Sequence, residues 1–238
     1  MHQSWQNKAH KLHPLKHNLT RKSRLIRSRD LSMSTPYFIG ICGGSGSGKT
    51  TFCNQMVSLL GEDRVLHISQ DSYYKDLAHL PLEERAKINF DHPDIVEFPL
   101  LVSHLDELFF GKTILLPKYD FSKHIRVTSS EIIMPKPIVL VEGILLFSDE
   151  DTQKRLNHKI FIDATEDIRF ERRLKRDTKE RGRTEESVQN QFQSSVKPMH
   201  NLYVEPTRNK ADQIVSGEKP FDQEIRELCL KILNETVL

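Results

Sequence analysis

Short apolar runs alternate with longer stretches in which apolar residues recur every three or four positions. The runs at 37–42, 64–68, 138–142, 159–163 and 212–215 predict buried parallel strands. The periodic stretches at 49–60, 99–110, 166–180, 185–200 and 221–233 predict helices. This alternation is the signature of an α/β fold, with helices flanking a parallel sheet of about five strands. One stretch breaks the rhythm. Short strands starting at Thr113 and Ile125 surround a Tyr119-Asp120-Phe121 turn, and Pro135 and Pro137 close the segment. Residues 112–133 therefore read as a small β-hairpin insertion. The expected organisation is one domain over 36–238, with that hairpin and a helical lid over 172–191, preceded by an extension over 1–35.

Charge changes the picture at the N-terminus. The net charge of the 238 residues is +2, yet residues 1–32 carry eight Lys/Arg and one acid, Asp30. The remainder, with 27 bases against 32 acids, stands at −5. The body is mildly acidic, which argues against nucleic acid as a partner. Residues 1–32 are polar and His-rich and lack the apolar core of a secretory signal, so disorder is expected there. Three origins stay open for this segment: an upstream extension of a chain that starts at Met33, an authentic tail, or an organelle presequence. No apolar run approaches the roughly 20 residues that span a bilayer, so no membrane association is expected. Cys42, Cys53 and Cys229 show no CxxC spacing and suit a reducing compartment, with a cytoplasmic location expected.

The candidate chemistry begins after the first strand. Gly43-Gly44-Ser45-Gly46-Ser47-Gly48-Lys49-Thr50 fits the phosphate-loop pattern G-x-x-x-x-G-K-[ST] in full, between a predicted strand and a predicted helix. Glycines let several backbone N–H groups face one anion, and the helix N-terminus adds partial positive charge. Lys49 can reach the β/γ-phosphates, the Thr50 hydroxyl can bind Mg²⁺, and Thr51 extends the nucleotide-binding run. A linker of glycine and serine would not sit between strand and helix and end in Lys-Thr. The loop implies a bound nucleoside triphosphate and leaves its use open.

Three further segments narrow that use. Glu142 ends the apolar run 138–142, on the sheet edge where α/β proteins bind ligands, and could hold Mg²⁺ directly or through water. Asp71 follows the run 64–68 at the same edge. It could accept the proton of an attacking hydroxyl or touch Mg²⁺, although a helix N-cap would look alike locally. Arg172, Arg173, Arg176, Arg181 and Arg183 form a basic cluster around Gly182. Alone such a run is a solvated helix face. Beside a phosphate loop, arginines that close over a transferring phosphoryl group stabilise its charge. Glu171, Asp177 and Glu180 can pair with some of them at helical spacing.

From Tyr37 to about Val215 the chain resembles the uridine kinase (uridine–cytidine kinase) family, short bacterial form. The resemblance rests on GGSGSGKT, QDSYYKD, NFDHPD, YDFSKHIR, VEGILLF, RRLKRDTKERGR and VKPMHNLYVEP, in that order. It implies a P-loop kinase fold and transfer of the γ-phosphate of ATP or GTP to the 5′-hydroxyl of uridine or cytidine, with Mg²⁺. Carried onto this sequence, Asp71 matches the catalytic base, and Thr50 and Glu142 the magnesium-side residues. Asp91 matches the ligand of the ribose hydroxyls, Tyr119 and His124 the base-edge contacts, and Phe90 and Phe121 the aromatic walls. Arg173, Arg183 and Gln191 match substrate contacts near the lid, while Arg176 and Arg181 match lid arginines that meet the phosphates. A homotetramer is implied as well.

Three features depart from the family pattern. The N-terminal extension has no counterpart, no second catalytic domain is expected, and Gln213-Ile-Val-Ser-Gly-Glu-Lys-Pro stands where the family has an apolar strand and a Pro-Arg-Gly-like turn, so no donor-base contact is assigned. Two other readings compete. Asn209-Lys210-Ala211-Asp212 spells the N-K-x-D motif of GTPases, but it does not follow an apolar run, and no Asp stands three positions before a glycine. Another small-molecule kinase, such as one resembling phosphoribulokinase, would have no flat base for Tyr119, Phe121 and His124.

Overall fold

The computed structural model describes residues 35–236, apart from residue 86 and the side chains of Thr128 and 233–236. But for Thr35, the extension expected to be disordered lies outside the described residues.

Five strands form one parallel sheet: β1 (Tyr37–Cys42), β2 (Val65–Ser69), β5 (Ile138–Glu142), β6 (His158–Asp163) and β7 (Gln213–Ser216). Their spatial order is β2-β5-β1-β6-β7. The long helices are α1 (Lys49–Leu60), α2 (Phe98–Phe109), α3 (Glu166–Glu180), α4 (Glu185–Gln191) and α5 (Asp222–Thr236). The expected parallel α/β architecture is present, with element ends displaced by a few residues at most outside the stretch after α4. A two-stranded antiparallel ribbon, β3 (Ile114–Asp120) and β4 (Ile125–Ile133), stands apart from the sheet.

Side-chain alternation along each strand sorts the core into two layers. Ile138 and Leu140 of β5 and Val65 of β2 face Phe52, Cys53 and Met56 of α1, and α5 adds Ile225, Leu228 and Ile232 to the same layer. Val139, Val141, Leu66 and Ile68 point the other way, onto Leu101, Leu105 and Leu108 of α2 and the Leu145–Phe147 segment. The three α2 leucines are at most 1 % exposed. Each therefore contributes about 1.5–3 kcal/mol of burial.

One helix expectation needs correction. The periodicity predicts a helix over 185–200, but regular α-helix ends at Gln191 and the coil continues to Lys210. It runs through π-turns at Phe192–Val196 and His200–Val204, around Lys197–Met199, and closes in a tight turn over Glu205–Lys210. Pro198 has no N–H to give and its ring crowds the preceding turn, so the coil widens on both sides of it.

Candidate active site

The carboxyl ends of β1, β2 and β5 gather the candidate residues. The loop after β1 turns through Gly43, Gly46 and Gly48, all at positive φ. At Gly46, φ is 82° and a Cβ would stand 2.3 Å from the Arg169 carbonyl oxygen, so only glycine fits there. Gly48 leads into α1 without a side-chain cap, and no acid occupies the first turn. The N-terminal N–H groups of α1 thus remain available to an anion. Lys49 is 8 % exposed and its Nζ donates to the Gly44 carbonyl at 3.0 Å. Burial lowers its pKa, while Glu142, Cys42 and Asp71 act against that shift. Thr51 lies exposed on the first turn of α1.

Glu142 is buried at the end of β5, and the Thr50 hydroxyl donates to both its carboxylate oxygens, at 2.9 and 3.0 Å. His67 Nε2 lies 3.3 Å from Oε1 of the same carboxylate. Burial pushes the Glu142 pKa up, but His67, Lys49 and Thr50 outweigh it and hold it below its ordinary value. An ionised carboxylate beside a hydroxyl is an oxygen donor set that fits a hard divalent cation. Asp71 sits in the tight turn Gln70–Tyr73 directly after β2, where its N–H donates to the Ser69 hydroxyl at 3.3 Å. Burial raises its pKa; the Tyr74 hydroxyl, Lys49 and Arg181 act downward and Glu142 upward. A carboxylate made more basic in this way is suited to accept a proton.

The hairpin places aromatic rings beside these carboxylates. Arg126 of β4 anchors it, donating to Glu97 Oε2 at 2.7 Å and to the Tyr74 carbonyl at 2.9 Å. The Asp120 carboxylate closes the turn by accepting from the Ser122 hydroxyl and from the Ser122 and Lys123 N–H groups. Tyr119 packs edge-on to Tyr74 at 5.4 Å and to Phe121 at 5.4 Å, with Phe90 6.2 Å away. Phe90 stacks on His124 at 5.0 Å with 27° between the planes. His124 has φ 52°, a left-handed conformation that costs a non-glycine residue energy. Burial, with Arg85, lowers its pKa, which keeps the ring neutral at pH 7. The Tyr119 hydroxyl is buried without a hydrogen-bond partner among the described residues. Asp91 is 8 % exposed, and burial raises its pKa against the pull of Arg173 and Arg176.

The arginines converge on one acid. Asp177 of α3 is fully buried, and Arg176 reaches its Oδ1 through both Nε and Nη2 at 2.9 Å. Arg173, Arg181 and Arg183 approach the same carboxylate at 3.5, 3.6 and 3.6 Å. Arg173 also donates to the Ser45 hydroxyl of the phosphate loop at 2.9 Å and to Gln191 at 3.0 Å. Gln191 accepts from Arg183 too, which ties α4 to the loop through Arg173. Arg181 lies over the Phe121 ring, 5.6 Å from its centroid. Gly182, at φ 63° with open space where a Cβ would stand, makes the reversal between α3 and α4. Asp71, Asp91, Tyr119, Phe90, His124 and the lid arginines thus sit around one region beside the phosphate loop. Phe121 lies at its rim, 46 % exposed.

Several participants had no individual role assigned from the sequence, Arg172 being read only as one of the basic cluster. Tyr74 joins Asp71 to the aromatic group. Arg169 backs Gly44 and Gly46 from underneath, and Arg172 donates to the Gly217 carbonyl at 2.9 Å. His67 holds Glu142. An aromatic in the QDSYYKD block and the spacing of the arginines were the only available hints. The GTPase-like Asp212 is spent on structure, accepting from the Lys159 N–H at 2.8 Å.

The family described as phosphoribulokinase / uridine kinase matches residues 38–220. A uridine kinase of Chloroflexus aurantiacus is 51 % identical over 186 residues, covering 78 % of this chain and 89 % of that protein. A uridine kinase of Clostridium perfringens is 50 % identical over 183 residues, covering 77 % and 88 %. Among solved structures, the D-glycerate 3-kinase of Cryptococcus neoformans superposes with a TM-score of 0.56 at 16 % identity, over 87 % of this chain and 96 % of that one. That likeness shows the shared fold. No helix among the described residues is long and apolar enough to cross a membrane.

Proposed function

The chain belongs to the phosphoribulokinase / uridine kinase family, and from that premise we propose that it transfers the γ-phosphate of ATP or GTP to the 5′-hydroxyl of uridine, and of cytidine, giving UMP and CMP for pyrimidine salvage. The observation that carries the acceptor assignment is the aromatic group of Phe90, Tyr119, Phe121 and His124, with the buried, unpartnered Tyr119 hydroxyl, beside Asp71 and Asp91. A flat base stacks on such rings and also satisfies such a hydroxyl; a sugar phosphate offers the rings no flat face.

Each residue has a task in this reading. Asp71 aligns the 5′-hydroxyl and accepts its proton as the phosphoryl group moves. The ribose diol is held by Asp91, which would select against sugars lacking a 2′-hydroxyl. Lys49, the backbone N–H groups at the start of α1, and Arg176, Arg181 and Arg183 face the charge spread over the transferring oxygens. Closing the arginine segment over the phosphates excludes water and limits hydrolysis. Thr50 and Glu142 would hold Mg²⁺, which when bound supplies charge neutralisation between the β- and γ-phosphates. A cytoplasmic location and a homotetramer belong to the same proposal and rest on family likeness.

Asp71→Asn tests the mechanism. It keeps the shape and removes the base, so kcat is expected to fall by roughly 10²–10⁴ while uridine binding, followed by calorimetry, persists. Near-normal kcat would remove Asp71 from the role.

A further inference from the structure

Beneath the phosphate loop, α1 and two strands bring three metal-binding side chains of different type together. Side-chain alternation dictates the meeting. His67 stands on β2 with Val65, and Glu142 on β5 with Ile138 and Leu140, on the sheet face that α1 covers. Cys53 points down from α1 onto that face and is fully buried. One donor atom from each of Cys53, His67 and Glu142 lies within 4.8 Å of the other two. His67 Nε2 and Glu142 Oε1 are 3.3 Å apart, close to the spacing of two ligands on a tetrahedral ion, yet this Nε2 is buried and makes no hydrogen bond among the described residues. A buried imidazole nitrogen facing a thiol and a carboxylate is short of a partner that a metal ion would supply.

We propose that Cys53, His67 and Glu142 form a binding site for a thiophilic transition-metal ion, Zn²⁺ above all, whose occupation withdraws Glu142 from phosphoryl transfer and inhibits the enzyme. Sulfur, imidazole nitrogen and carboxylate oxygen are the ligand types that zinc takes, and three protein ligands leave a fourth position for water. Thr50 is exposed and bonded to Glu142, so the site opens toward the nucleotide side. Mg²⁺ favours oxygen donors and does not compete for the thiolate. The Cys53 thiol gives its proton to solvent as the metal–sulfur bond forms. The site itself goes beyond the kinase reading; only the inhibition rests on it.

The test uses the full chain, with Zn²⁺ titrated against a chromophoric chelator and Co²⁺ as a spectroscopic probe. The readout is the difference between the wild type and Cys53→Ala, because the chain has 11 histidines that can bind metal weakly. Wild type is expected to hold one more equivalent of Zn²⁺ than Cys53→Ala, at an affinity about 100-fold or more above the variant's; even an outer partner of a metal ligand changes affinity by 10–100-fold. His67→Gln should lose that equivalent as well. Co²⁺ should give a near-ultraviolet thiolate-to-metal band that Cys53→Ala lacks, and Cys53→Ser, which keeps the volume, should lack it too. Zn²⁺ should inhibit wild type in the presence of excess Mg²⁺ while leaving Cys53→Ala active. Equal Zn²⁺ binding by both proteins, or no thiolate band, overturns the site. Equal inhibition of both overturns its effect on activity. A site that binds zinc in a protein with no uridine-dependent turnover would instead refute the kinase reading.

Discussion

Replacing Asp177 with Asn removes one negative charge from the centre of four arginines and changes almost no volume. The cost can be worked from the contacts. Arg181, 43 % exposed, loses little, because exposed pairs contribute about 0–1 kcal/mol. Arg176 loses one short charge-assisted bond from Nε and an ion-pair contact from Nη2 but keeps access to water, with its side chain 34 % exposed. Arg173 has the least recourse, since its side chain is 9 % exposed and Asp177 itself is wholly buried. Leaving a buried charge wholly unpaired costs about 3–5 kcal/mol; Arg173 keeps Asp91 nearby and its bonds to Ser45 and Gln191, and the other arginines are partly exposed, which places Asp177→Asn at the lower end, at about 3 kcal/mol. For a chain of this size each kcal/mol moves the melting temperature by about 2–4 °C, so a fall of about 6–12 °C is expected by circular dichroism. Arginines that lose their anchor also lose alignment on the phosphates. An error of about 1 Å can cost about 10²-fold, so initial rates at saturating substrates should fall by that order. A melting temperature within about 1 °C of wild type, together with an unchanged kcat, would refute the view that Asp177 organises the lid.

Two further outcomes follow from the site and its surroundings. His124→Ala removes a neutral hydrogen-bonding ring from the base-facing group, so KM for uridine should rise about fivefold with KM for ATP unchanged, as steady-state kinetics with each substrate varied will show; equal rises in both would place His124 outside the acceptor side. Burial holds the pKa of His200 down to about 4, against 6.5 for a free imidazole. The unfolded chain therefore takes up this proton first, and stability that is complete above pH 6.5 should fall as pH drops toward 4, by up to about 3 kcal/mol. Denaturant melts across that range should show a flatter profile for His200→Gln; parallel profiles would contradict the assignment.

How much was legible beforehand depended on whether a neighbour in sequence or a neighbour in space decided the matter. β1, β5, α1 and α3 were readable to the residue because a continuous apolar run or a 3.6-residue period is a local property. The coil after Gln191 was not. Its apolar period is helical, but the missing donor of Pro198 changes the winding without changing which residues face inward. The phosphate loop announces itself because its backbone demands glycines at fixed places. Asp177 was visible only as one of several acids at helical spacing. Its dominance arises because the chain turns back at Gly182, brings Arg183 against α3, with the Arg183 N–H on the Asp177 carbonyl at 3.1 Å, and buries the carboxylate. His67 and Cys53 lay on different elements; the register of β2 on β5 sets His67 beside Glu142, and the packing of α1 on that sheet face adds Cys53. A sequence read in one dimension names the ends of strands; it does not say which ends meet.

The central claim is that the phosphate loop is the donor side of a pyrimidine nucleoside kinase. Incubating the protein with ATP or GTP and a panel of uridine, cytidine, thymidine, adenosine and ribulose 5-phosphate, and measuring nucleoside diphosphate and phosphorylated product together, tests it directly. The account predicts one diphosphate released per UMP or CMP formed, and little release with the other acceptors or with none. Release at the same rate without a nucleoside, or with ribulose 5-phosphate in place of uridine, would contradict it.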